Sequence, residues 1–129
     1  MSRGARPSRL GRHGSTLRLS RKERHMRRGT TPTVMFALPF DTSEIKYCEV
    51  CFAQKDIPIL VKDTDECILS GIYLSVDLTQ EETLMFSSKD DLQVQIRFIF
   101  TDGTADATTI FTDKVHKLLK GGTIDAEED

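Results

Sequence analysis

From Thr33 onward, apolar and polar residues alternate with a period of two, as in strands that bury one face. Val34, Phe36 and Leu38 share one side of a first strand, which Pro39 ends. Cys48, Val50 and Phe52 share a side of a second, spanning about Ile45–Ala53, and Gln54-Lys55-Asp56 then forms a short turn. Ile57, Ile59 and Val61 make a third set. Pro58 falls on the opposite parity and marks this strand as an edge, since proline cannot donate to a ladder. The polar stretch Asp63-Thr64-Asp65-Glu66 reads as a loop.

After Gly71, the residues Ile72, Leu74, Val76 and Leu78 alternate with Tyr73, Ser75 and Asp77. The longest strand carries Leu92, Val94, Ile96, Phe98 and Phe100 inward, with Gln93, Gln95 and Arg97 outward. Asp102-Gly103 follows as a hairpin turn, because both residues tolerate positive φ. The returning strand, roughly Ala105–Leu119, alternates raggedly, and a bulge or break is expected near Thr112-Asp113. Thr79-Gln80-Glu81-Glu82 breaks the pattern with a capping box, which predicts one helical turn over about 80–86 with Leu84 and Phe86 packed on the sheets. Six or seven short strands at this spacing predict an all-β domain over 29–120, an antiparallel immunoglobulin-like β-sandwich, with a small barrel as the runner-up.

Charge divides the chain. Residues 1–28 carry nine Arg and one Lys against a single acid, a net of +9, whereas residues 29–129 carry 8 basic and 19 acidic side chains, a net of −11. The arginine-rich stretch is broken by Gly4, Pro7, Gly11 and Gly14 and has too little apolar surface to fold alone, so a disordered basic tail is expected. Such an arm suits phosphate binding, each Arg displacing counterions from nucleic acid. No aromatic residue interleaves the arginines to stack on bases. The preferred reading is different. Lys22-Glu23 can be encoded AAG-GAG, which resembles a ribosome-binding site placed two codons before Met26, so residues 1–25 are read as an over-called start. Residues 26–129 then carry 10 basic and 19 acidic side chains, which disfavours nucleic acid as a partner. Gly121-Gly122 and the acidic residues after them predict a flexible tail over 121–129.

The composition is ordinary for a globular domain, and no apolar run approaches the roughly 20 residues of a membrane helix. The N-terminus lacks the apolar core of a secretory signal. Three cysteines, an odd count, argue against a disulfide framework and fit a reducing compartment. Cys48-Glu49-Val50-Cys51 has a C-x2-C spacing, yet on a strand its two thiols point to opposite faces, and no second pair completes a zinc set. Structural cysteines are expected, with Cys48 in the core; Cys67 could approach either thiol across strands. Asp63, Asp65 and Glu66 lack the glycine and distal glutamate of an EF-hand loop and read as a solvated acidic loop, and Asp90-Asp91 reads as a turn. His116 is the only histidine after residue 25, and no motif presents a serine nucleophile beside it. No catalytic, cofactor or metal site is expected, and no small-molecule substrate. Met35, Tyr47, Tyr73 and Ile99 fall on the solvent side of their strands. With Ile57, Ile59 and Val61 on the edge strand, they form the candidate interface for a protein partner or for self-association.

Several segments in order carry a resemblance. Arg28-Gly29-Thr30-Thr31-Pro32-Thr33 opens the domain and Pro39-Phe40-Asp41 follows the first strand. Leu78-Thr79-Gln80-Glu81-Glu82-Thr83 precedes the Val94-Gln95-Ile96-Arg97 strand, which Asp102-Gly103-Thr104 closes. Over residues 27–119 this resembles small β-sandwich proteins of phages and prophages of Gram-positive bacteria and, more loosely, the N-terminal domain of phage baseplate upper proteins. The resemblance implies a non-enzymatic structural or assembly protein, tail or baseplate associated. Its partners would be other phage structural proteins, and its place the bacterial host cytoplasm during assembly or the virion. The alternative is a nucleic-acid-binding or regulatory protein that uses the arginine-rich arm.

Overall fold

The computed structural model describes residues 25–124. Strands occupy 52 % of these residues and helical turns 11 %, so the chain is all-β as expected. The strands are β1 (His25–Arg27), β2 (Thr33–Ala37), β3 (Ile45–Gln54), β4 (Ile57–Asp63), β5 (Cys67–Ser70), β6 (Tyr73–Asp77), β7 (Leu92–Phe100), β8 (Ala105–Ala107) and β9 (Phe111–His116). One helical turn, α1 (Gln80–Leu84), lies between β6 and β7. The larger sheet runs β1-β9-β7-β3-β4, with β8 also on β7, and the smaller runs β2-β6-β5. Their inner residues form one core, in which Phe36, Phe52, Phe86, Phe98 and Phe100 are fully buried. Phe40, set inward just after Pro39, meets Phe98 and Phe100 edge-on at centroid distances of 5.3 and 5.0 Å.

Two expectations need correcting. The sheets are not purely antiparallel, because β1 runs parallel to β9, with Met26 opposite Val115. Nine strands are found among the described residues instead of six or seven. One of the additional strands lies within the stretch assigned to the basic tail. Met26 is buried against the core there, so the apolar residue that anchors β1 is hidden between arginines in sequence. The rest of that tail, residues 1–24, and residues 125–129 of the acidic tail lie outside the described residues. Residues 121–124 are exposed, yet Ile124 exchanges two backbone hydrogen bonds with the Gln80 side chain.

The turns follow from backbone geometry. The β3–β4 hairpin has a two-residue loop, and both of its residues, Lys55 and Asp56, sit at positive φ (54° and 63°). That is the conformation a right-twisted hairpin demands and for which Asn-Gly is favoured. Asp56 is secured by Gln93 of β7, whose amide accepts from its N–H at 2.7 Å and donates to its carboxylate at 2.9 Å. A second two-residue turn, Gly71-Ile72, joins β5 to β6, so Ile72 is exposed instead of opening the buried run. The Asp102-Gly103 hairpin forms as expected, with Gly103 at φ 89° and the Asp102 carboxylate accepting from the Thr104 N–H and hydroxyl.

Besides an irregularity between Ile45 and Tyr47 in β3, two bulges reset the alternation. Arg97 pairs with Ala107, but Val94 pairs with Phe111, so one residue is inserted between β8 and β9. The inward set therefore changes from Asp106 and Thr108 to Phe111 and Val115. This break lies at Thr108–Ile110, before the expected position at 112–113. Thr108 can hold it because its buried hydroxyl accepts from the Ile96 N–H (3.1 Å) while its own N–H donates to the Ile96 carbonyl (2.9 Å). In β4, Phe52 pairs with Leu60 but Ala53 with Pro58, which makes Ile59 the inserted residue. Ile57 and Val61 thus lie on opposite faces, and Leu60 and Lys62 point inward.

The capping box forms as read: Thr79 Oγ1 accepts from the Glu82 N–H, and Glu82 accepts from the Thr79 N–H. Glu82 also receives the ammonium of Lys62 at 2.7 Å, although the Lys62 side chain is only 8 % exposed. The neighbouring Thr83, fully buried, donates its hydroxyl to the Thr30 carbonyl and accepts from the Thr30 N–H. Gly29 makes that approach feasible, since it sits at φ 74° and a Cβ there would lie 2.5 Å from Leu118. Farther along, the buried Gln54 amide donates to the Ser87 and Asp90 carbonyls and accepts from the Ser87 N–H.

Removing Glu82 as alanine leaves a buried ammonium with only Glu66, 3.9 Å away, to face it. The expected loss is about 3 kcal/mol in urea denaturation. Burial alone would raise the Glu82 carboxyl pKa, but hydrogen bonds from Lys62 and Thr79 and the Lys62 charge outweigh it and hold the pKa below 4.5. Its contribution is therefore present above that value and lost as pH falls through the lower folded-state value, so Glu82→Gln should flatten the acid limb of the stability profile. Lys55→Gly relieves positive-φ strain and should add about 0.5–1 kcal/mol after the entropy cost of glycine.

Candidate functional site

The larger sheet gives one face to the core and the other to solvent, and exposed apolar residues gather on the solvent side. Strand register orders that outer face in rows. Tyr47 of β3 stands opposite Ile99 of β7, which stands opposite Ala105 of β8. The next row is Asp63, Glu49, Arg97 and Ala107, so an acidic and a basic residue face one another in mid-sheet. Val61, Cys51 and Gln95 form the third row. Pro58, Ala53, Gln93 and Thr112 form the fourth.

Small side chains leave hollows in this face. One of 390 Å³ lies over Ala105 and Ala107, walled by Tyr47, Ile99, Glu49 and Arg97. A second, of 260 Å³, lies over Ala53 and is bordered by Cys51, Pro58, Gln93 and Ile110. Their sizes fall at or below the low end of small-molecule pockets, which suits the reception of one or two protruding side chains. The Tyr47 hydroxyl donates to Glu49 Oε2 at 3.1 Å. Desolvation first, and then that carboxylate, raise the pKa of the phenol, which therefore stays a neutral donor at the rim.

The seven residues read as an interface do not form one surface. Tyr47, Ile99 and Val61 share the outer face of the larger sheet. Met35 and Tyr73 lie on the outer face of the smaller one, where Met35 and Ile68 flank Ser75 and leave it only 8 % exposed. Ile57 is exposed at the end of β4, on the other parity from Val61, and Ile59 is packed against the core at the bulge. Sequence reading missed Ile68, because residues 67–70 were assigned to no element, and Ile110, because the β8–β9 bulge hides its parity. It also missed the hollows, since Ala105 and Ala107 contribute only an absence of bulk.

The remaining candidates have the following places in the fold. Asp63 caps a short 3-10 turn over Thr64–Glu66, and Glu66 reaches back to the Asp63 N–H, so this acidic loop is a second capping box. Cys51 faces outward and Cys48 inward, as the strand period requires. His116 ends β9 opposite Arg27, and its carbonyl accepts from the Arg28 N–H. Among the described residues, no group of three or more His, Cys, Asp or Glu side chains is placed to hold a metal ion. No helix among them is long and apolar enough to cross a membrane. Comparison of the chain with protein-family models, curated proteins and solved structures returns no match.

Exposure separates the roles of adjacent residues. Ile99→Lys, on the outer face, should change stability by no more than about 0.5 kcal/mol. Phe98→Ala, one residue away and 1 % exposed, should cost about 3–5 kcal/mol in the same urea titration.

Proposed function

We propose that the chain is an immunoglobulin-like β-sandwich that acts as a non-enzymatic protein–protein interaction module, a structural or assembly protein of a phage or prophage particle. The strand order supports the sandwich. β9, β7, β3 and β4 correspond to G, F, C and C′ of a variable-type domain, and β2, β6 and β5 to B, E and D. The observation that carries the binding role is the outer face of the larger sheet. Tyr47, Val61, Ile99 and Ile110 are 38–52 % exposed there, around hollows of side-chain size and beside the facing charges of Glu49 and Arg97. Aromatic residues and arginine are enriched at protein interfaces, and this face carries Tyr47 and Arg97 among its exposed apolar side chains. Docking proceeds by surface complementarity across this face. At its rim β4, which among the described residues pairs only with β3, offers an edge to a partner strand. The phage setting rests on the sequence resemblance alone.

Peptide mass spectrometry of particles purified from the induced source bacterium tests this reading. The wild-type chain is expected in stoichiometric amount, and an Ile99→Lys, Ala107→Glu variant, folded but altered on the docking face, is expected at least tenfold depleted. Presence in the lysate without incorporation would sink the virion role. Salt-sensitive retention on DNA that is lost on deleting residues 1–25 would favour the nucleic-acid reading instead.

A further inference from the structure

The two sheets meet at a pair of free thiols. Cys48 belongs to β3 of the larger sheet, is fully buried, and stands opposite Phe98 in the ladder. Cys67 opens β5 of the smaller sheet opposite the buried Val76, so its side chain also faces the core. The connection from β4 brings them together. Thr64 donates its hydroxyl toward the Cys48 carbonyl and sulfur and accepts the Cys48 N–H at 2.9 Å. Three residues later the Cys67 N–H donates to the Thr64 carbonyl. Thr64 thus holds both backbones, one through its hydroxyl and one through its carbonyl, and both cysteines turn into the same core. Cys51 is excluded from this pair because it projects from the opposite face of β3.

We propose that Cys48 and Cys67 are a modification site, oxidised by low-molecular-weight disulfides of the glutathione type to an inter-sheet disulfide that locks β3 to β5. Cys67, the half-buried partner, is the point of entry. Cys48 and burial raise the pKa of this thiol, so the step is slow: its small deprotonated fraction attacks the reagent disulfide, giving a mixed disulfide on Cys67 and releasing one thiol. The Cys48 thiolate then attacks the Cys67 sulfur and expels the second thiol. Two cysteines lose two electrons and two protons, and one reagent disulfide becomes two thiols. In the mixed disulfide Cys67 has no proton left to donate, and the Thr64 hydroxyl remains as the donor that lowers the Cys48 pKa. The bond would close a short loop through β4, in a fold where β3 and β5 share no backbone ladder.

The test incubates the full chain in glutathione redox buffers of increasing oxidised fraction, reached both from native protein and by refolding from denaturant. Thiol titration is expected to fall from three free cysteines to one. Peptide mapping should join Cys48 to Cys67 with a loss of two hydrogens, and Tm should rise by roughly 10 °C. Cys51→Ser should retain that shift, and Cys67→Ser should abolish it. Cys48 and Cys67 remaining free from both directions, an unresolved glutathione adduct on Cys67, or a cross-link through Cys51 would each overturn the proposal.

Discussion

Lys62 ends inside the protein, and its ammonium is tolerated there because Glu82 meets it at 2.7 Å. The same carboxylate takes part in fixing the helical turn beside it. Glu82 closes the capping box, which fixes the orientation of α1. Once α1 is oriented, Thr83 holds the backbone of Thr30 in both directions, and Phe86 lies against Phe52 at 6.0 Å. A buried ion pair is not by itself strong stabilisation, because desolvation offsets much of the attraction. Its value here is positional. Five residues of helix would not persist in water alone, yet this turn ties the opening segment, β4 and the core of β3 to one point. The Leu78–Thr83 segment, the most distinctive part of the phage-like resemblance, thus has a structural explanation of its own.

The legible parts of the sequence are those where a single physical rule acts. β2 and β7 alternate without interruption, as does β3 from Tyr47 onward, and with Leu74 and Val76 of β6 they bury the residues that the alternation assigns to the core. The capping box was equally readable, since its two hydrogen bonds require only Thr and Glu three residues apart. Bulges were harder, because an inserted residue leaves no mark on composition. Ile57, Ile59 and Val61 look like one face, and only the register with Phe52 and Ala53 reveals that Ile59 is extra. At β8–β9 the raggedness was visible, but its position depended on which threonine could satisfy Ile96. β1 escaped notice because its buried residue is a single methionine among arginines, and a parallel partner 89 residues away has no local signature.

The candidate site was half legible for related reasons. Tyr47 and Ile99 stand out by being large and apolar on a solvent parity, and strand register brings them together. What shapes the face is the opposite property, the smallness of Ala105 and Ala107, which matters only once their neighbours are known. The same reasoning applies to the cysteines. Sequence could separate Cys48 from Cys51 by parity, but the approach of Cys67 required β5, a four-residue strand that follows a charged loop.

The tight turn at Lys55-Asp56 has a consequence for how this protein ages. Its backbone favours Asn-Gly, the dipeptide that most readily loses its side-chain ammonia, yet the position holds Lys and Asp, and the chain contains no asparagine anywhere among its 129 residues. Asparagine is among the thermolabile residues that heat-adapted proteins reduce. Conformational strain at one hairpin is thus accompanied by freedom from the commonest hydrolytic lesion of turns. Deamidation of asparagine is closed to these turns, while isomerisation of aspartate through the same cyclic imide stays open at Asp102-Gly103.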